Sequence, residues 1–140
     1  MSDERGVQHG GVAFRVADRL FFLPASIAVK VMPAPDVARI PGGPRELCGI
    51  ALVDGGIIPV VDATSPPDGG HVGRVVRPSE PMLVCVVLGE RVGFVGIDVV
   101  ATGRFAAGEH DGEVVVGDET ASTFDLEAAI AMVSERRWAV

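Results

Sequence analysis

Residues 49–62 read Gly49-Ile50-Ala51-Leu52-Val53-Asp54-Gly55-Gly56-Ile57-Ile58-Pro59-Val60-Val61-Asp62. Two runs rich in β-branched residues flank an Asp-Gly step. Asp-Gly supplies the positive φ angles that a tight hairpin turn requires, so the stretch predicts two antiparallel strands. The first extends back to Leu47, and Asp62 closes the second.

The same pattern continues in both directions. Upstream, Pro33, Pro35, Pro41 and Pro44 crowd into a dozen residues. Each fixes φ and lacks an N–H, so an extended loop is expected there. Ala28-Val29-Lys30-Val31-Met32 before it alternates as a strand does. Val12–Val16 and Leu20–Leu23, separated by Ala17-Asp18-Arg19, predict another hairpin, and residues 1–10 a loose polar tail. Downstream, the Pro/Gly-rich residues 63–81 predict a connector between two halves. Met82–Leu88, Val92–Ile97, Asp98–Thr102 and Glu113–Val116 follow as strands. Asp125 is placed to cap a C-terminal helix over 126–136, with Leu126, Ile130 and Val133 at helical spacing.

Nine or ten short strands with regular turn signals predict a mainly β chain built as small barrels. The first lobe is expected mainly over 12–62 and the second over 82–125, in one domain spanning 11–136. Apolar residues make up 48% of the 140, enough to fill a core at this size. Val, Ile, Leu and Ala dominate, Tyr is absent and Trp occurs once.

The net charge is −7, which opposes sequence-independent nucleic-acid binding and docking on anionic lipid. Glu109, Asp111, Glu113, Asp118 and Glu119 form an acidic cluster that reads as a solvated rim. No apolar run approaches the ~20 residues of a membrane span, and the first residues lack a signal core, so a cytoplasmic protein is expected. Cys48 and Cys85 sit inside apolar runs and read as buried small hydrophobes.

The sequence offers little catalytic chemistry. His9 lies in the tail, His71 in the connector and His110 in the acidic cluster. His110 with Glu109 and Asp111 is the best metal candidate, but consecutive side chains seldom converge, and no metal is expected. The serines lack a nucleophile-elbow pattern, and the Gly-rich steps lack the helix and Lys of a phosphate loop. Asp62 and Asp125 follow strands and read as caps rather than an acid–base pair. A β-rich body without convergent chemistry points to a binding module, with no cofactor.

Four further stretches carry a resemblance, together with the central hairpin. They are Phe14–Pro24, then Val29–Met32 with Ile40-Pro41-Gly42-Gly43-Pro44, then Arg91–Val100, then Phe124-Asp125-Leu126. Their order and spacing over residues 12–130 resemble the CheW-like domain family, the Gly-strand-Gly-strand-Pro-Val-Val-Asp block most specifically. The resemblance implies two intertwined SH3-like five-stranded β-barrels sharing a hydrophobic core. It implies a non-enzymatic adaptor that joins the cytoplasmic tip of chemoreceptors to a histidine kinase's regulatory domain. It assigns partner contacts to Lys30, Val31, Asp54, Gly55, Val86 and Val99. Weak self-association through open strand edges is a further expectation.

The chain departs from the family's pattern at two informative positions. Asp54 stands where the family usually has Arg, and Lys30 where it usually has Glu. If the two face one another, the pair is kept with its polarity reversed, and the charge shown to a partner inverts. The connector residues Thr64–Gly70 also forbid the short helix the family often has after its Val-Val-Asp step. The alternative reading is a divergent regulatory module that binds receptors or another partner without coupling a kinase.

Overall fold

A computed structural model describes residues 7–40, 47–64 and 75–126. Ten strands follow in order. They are β1 (Gln8–Val16), β2 (Arg19–Pro24), β3 (Ala28–Pro33), β4 (Leu47–Val53), β5 (Gly56–Asp62), β6 (Pro81–Val87), β7 (Glu90–Val95), β8 (Asp98–Ala107), β9 (Val114–Val116) and β10 (Glu119–Thr123). They form two five-stranded sheets. One is a closed barrel in the order β1-β2-β10-β9-β8, and the other runs β3-β6-β7-β5-β4.

The expectation of two barrels is corrected in one respect, because only one sheet closes through continuous ladders. The second is open between β3 and β4, and a single bridge narrows its gap. Ala38 donates its N–H to the Ile50 carbonyl at 2.8 Å, and the Ile50 N–H returns to Ala38 at 2.9 Å. The chain leaving β3 thus lies along β4, where proline forbids a full strand.

The two sheets do not follow the two halves of the sequence. β1 and β2 pair with strands from the far end of the chain, antiparallel to β8 and parallel to β10. The middle strands β3–β7 make the other sheet. β1 begins at Gln8, inside the stretch read as a tail, because Gln8–Gly10 pair with Arg104–Ala106. β8 continues past Thr102 to Ala107 for the same reason, which shortens the acidic loop to 108–113. The proposed helix over 126–136 lies outside the described residues beyond Leu126, as do His71 and most of the connector.

Strand alternation sorts the apolar residues into three layers. Val12, Phe14, Val16 and Leu23 from the barrel meet Leu47, Val61, Leu83, Cys85, Val92 and Phe94 from the other sheet in a shared core. Leu20, Phe22, Val114 and Ala121 fill the barrel itself. Cys48, Ala51, Val53, Ile58, Val60, Met82, Val84 and Val95 fill the concave side of the second sheet. β1 and β2 are therefore buried on both faces, which explains their nearly continuous apolar sequence.

Both cysteines are buried reduced thiols, in different layers. Burial away from water pushes the Cys85 thiol up to about 12. The thiolate is the reactive form, so at neutral pH Cys85 is expected to resist thiol reagents in the native protein. Labelling by an aromatic disulfide reagent should appear only when denaturant opens the core. Rapid native labelling at Cys85 would contradict this packing.

Candidate protein-interaction surface

The hairpin turns at one end of the second sheet build the surface. β5 and β7 run parallel, so the β4–β5 and β6–β7 turns project from the same end. Asp54 (φ 50) and Gly55 (φ 80) form the first turn, Leu88 (φ 53) and Gly89 (φ 81) the second. Paired positive φ angles at the two central positions match the right-handed strand twist, as in a type I′ turn. Asp and Gly suit that geometry. Leu does not, and yet Leu88 is 89% exposed at its tip.

Lys30 from β3 reaches this end. Its Nζ donates to Asp54 Oδ2 at 2.9 Å, and Arg91 Nη1 of β7 stands 3.7 Å from the same oxygen. Lys30 lies opposite Val84 in register, and Arg91 opposite Val86, so the cations share the concave side of the sheet with Val84 and Met82. The three charges sit over the mouth of that inner core. The hydrogen bond from Lys30 holds the Asp54 carboxyl below the usual carboxylate range; its charge and that of Arg91 act in the same direction.

A depressed carboxylate contributes stability above its unfolded pKa, and that contribution is lost as pH falls through the folded value. Asp54→Asn is therefore expected to be less stable than wild type at neutral pH and to converge with it in acid. The gap should also shrink at high salt, because all three groups are solvent-accessible. Denaturant melts across pH and salt check both.

The convex side of the same end is apolar and open. Leu52 and Ile57 face each other across the β4–β5 hairpin and are 66% and 69% exposed. Leu47 and Val61 further along that hairpin pack in the shared core, so the barrel covers this face only in part. Val29 and Val31 flank Lys30 on β3 and are also exposed. Scattered surface apolar residues are ordinary, but here they gather at the sheet end that also carries the charged cluster, on the face opposite to it.

Of the residues assigned by resemblance, the structure brings Lys30 and Asp54 into contact, with Gly55 and Val31 beside them. Val86 is half-buried; its N–H donates to Ile27, and it pairs with Arg91. Val99 does not join them. It sits on β8 of the barrel, opposite Phe14, against the shared core. Sequence reasoning missed Arg91, Leu52, Ile57 and Leu88. Alternation could have found Leu52 and Ile57, since they fall on the opposite face from Ala51, Val53 and Ile58.

The other candidates resolve simply. Asp62 Oδ1 accepts from the Thr64 N–H at 3.0 Å and its hydroxyl at 2.6 Å, which is the capping role expected of it. His110 approaches Glu113, Nδ1 to Oε1 3.6 Å, rather than gathering Glu109 and Asp111. Among the described residues no three His, Cys, Asp or Glu side chains converge as a metal site would need.

Comparison with known proteins agrees with this architecture. No curated protein sequence matches the chain. Among solved structures, the scaffolding protein TtCheW from Thermoanaerobacter tengcongensis is similar, with a TM-score of 0.65 over 86% of each chain at 20% identity. That likeness is one of fold. The CheW-like domain model matches residues 10–107, from the opening hairpin to the end of β8. With most of the ten strands inside that match, the chain belongs to the CheW-like domain family.

Proposed function

We propose that this protein is a non-enzymatic cytoplasmic adaptor of a chemotaxis-like signalling array. It couples the cytoplasmic tip of chemoreceptors to the regulatory domain of a histidine kinase and needs no cofactor. The observation that carries this reading is the end of the second sheet, where the Lys30–Asp54–Arg91 cluster stands on one face and exposed Leu52, Ile57 and Val31 on the other. A sheet end that exposes large apolar side chains next to charged ones has the composition of a protein-docking surface. Membership of the CheW-like domain family supports that class of partner. Among the described residues no helix is long and apolar enough to cross a membrane, which suits an adaptor that reaches the membrane only through receptors.

The test is reconstitution. A soluble signalling fragment of a chemoreceptor and the histidine kinase, both from the same cell, are mixed with the protein and sedimented. A ternary complex with altered kinase autophosphorylation is expected. Capture of the receptor fragment without the kinase would instead support the regulatory-module reading, which the reversed charge pair favours. Capture of neither removes the adaptor function.

A further inference from the structure

Two cations compete for one carboxylate at the docking end. Lys30 Nζ and Arg91 Nη1 approach the same Asp54 oxygen, at 2.9 and 3.7 Å. The cluster therefore carries one surplus positive charge, on a chain whose net charge is −7. Glu90 does not cancel it, because strand alternation places Glu90 on the opposite face of β7 from Arg91. The side chains of Lys30, Asp54 and Arg91 are 40%, 53% and 48% exposed, so the existing contacts are held in water and are easily exchanged.

The two cations differ in what they can do. Arg91 carries a planar guanidinium that can take both oxygens of a carboxylate in fixed geometry. Lys30 carries a compact ammonium on a flexible stem that can swing between acceptors. Exposed Leu88 stands at the tip of the neighbouring turn, and exposed Val31, Leu52 and Ile57 line the other face of the same end. A partner seated end-on over these turns would reach both faces, displace water around Lys30 and strengthen any charge pair it formed.

We propose that Lys30 is handed to an Asp or Glu carboxylate on the docking partner while Arg91 takes its place on Asp54. The partner segment this surface fits is accordingly apolar around one acidic residue. The inference rests on the adaptor reading and names the chemistry of the partner at that same site. Arg91 acts here as a positioning residue, keeping Asp54 satisfied so that it does not hold Lys30 back.

Affinity for the receptor signalling fragment and for the kinase regulatory domain is measured by calorimetry. The variants are Lys30→Arg, Arg91→Gln, Leu52→Ser and the double change Lys30→Glu with Asp54→Lys. The double variant keeps a pair in place with the other polarity and is expected to bind one probe about tenfold more weakly or worse. Arg91→Gln should weaken binding severalfold, while Lys30→Arg should nearly preserve it. Thermal melts confirm that each variant folds. If the double variant binds like wild type while Leu52→Ser weakens binding, the surface is right and the carboxylate is wrong.

A second measurement needs no partner. The Asp54 carboxyl is titrated by NMR in Lys30→Ala and in Lys30→Ala with Arg91→Gln. It should stay below the usual carboxylate range in the first and return to it in the second. Return already in the first sinks the hand-over, whatever binds. Wild type that binds neither probe, with Asp54 still held low by Arg91, sinks the adaptor reading instead.

Discussion

Phe14→Ala is expected to lower the free energy of unfolding by about 3–5 kcal/mol, the cost of emptying a large aromatic site in a packed core. Phe14 is 1% exposed and lies where the two sheets meet. Its ring contacts Phe21 at 6.2 Å between centroids and Phe124 edge-on at 5.5 Å; Phe124 in turn meets Phe94 at 6.1 Å. Phe94 belongs to the second sheet and the others to the barrel or its exit, so the cavity would open toward both. Small domains hold only about 5–15 kcal/mol in total. Urea unfolding followed by circular dichroism should give a single transition, shifted to lower denaturant with the slope unchanged. Two separated transitions, with only the barrel weakened, would mean that the sheets are stabilised independently and that the shared core is not shared energetically.

Gly49→Ala is the second large effect. Gly49 sits at the bulge where β4 leaves its ladder with β5, at φ 154, a conformation L-residues rarely adopt. An added Cβ would lie 2.2 Å from the Ala38 carbonyl oxygen and 2.8 Å from Val37 Cγ1. Neither the angle nor the clash can relax without moving the segment that narrows the open side of the sheet. Backbone strain and loss of the two Ala38–Ile50 hydrogen bonds together predict about 2–4 kcal/mol of destabilisation. Hydrogen exchange should show the Ile50 and Ala38 amides losing protection first. Gly55→Ala is the control: at φ 80 with nothing within 4 Å of its would-be Cβ, it has strain but no clash and should cost clearly less.

The hairpins were legible because their turns are local chemistry. Asp54-Gly55 announces its own φ angles, and the polar step at residues 17–19 separates two apolar runs. β10 was legible only as the stretch between the Gly117 turn and Asp125. Glu119-Thr-Ala-Ser-Thr123 has little apolar alternation, and it becomes a strand through β9 and through a parallel pairing with β2 from the other end of the chain. The same non-local pairing lengthens β8 over Gly103 and Arg104. The contact between Lys30 and Asp54 was posed conditionally by resemblance, and the geometry fulfils it. Arg91 escaped because nothing in its own neighbourhood tells which turn it will face; only the parallel β5–β7 pairing does. Leu88 escaped because a leucine at that turn position breaks the local rule a sequence reader relies on.

Vectorial synthesis meets this strand order awkwardly. The middle sheet has all its strands once Val95 has left the ribosome, but the barrel is completed only by Thr123. Until then the first hairpin, apolar on both faces, has no β8 or β10 to cover it. Roughly a hundred residues separate the end of β2 from the end of β10, so at about 5–20 residues per second the nascent hairpin waits some 5–20 s. A ribosome that stalls late in the message would hold out a sticky, half-built barrel. Demand for holding chaperones should therefore rise with slow translation of the last strands, even though the finished domain is small.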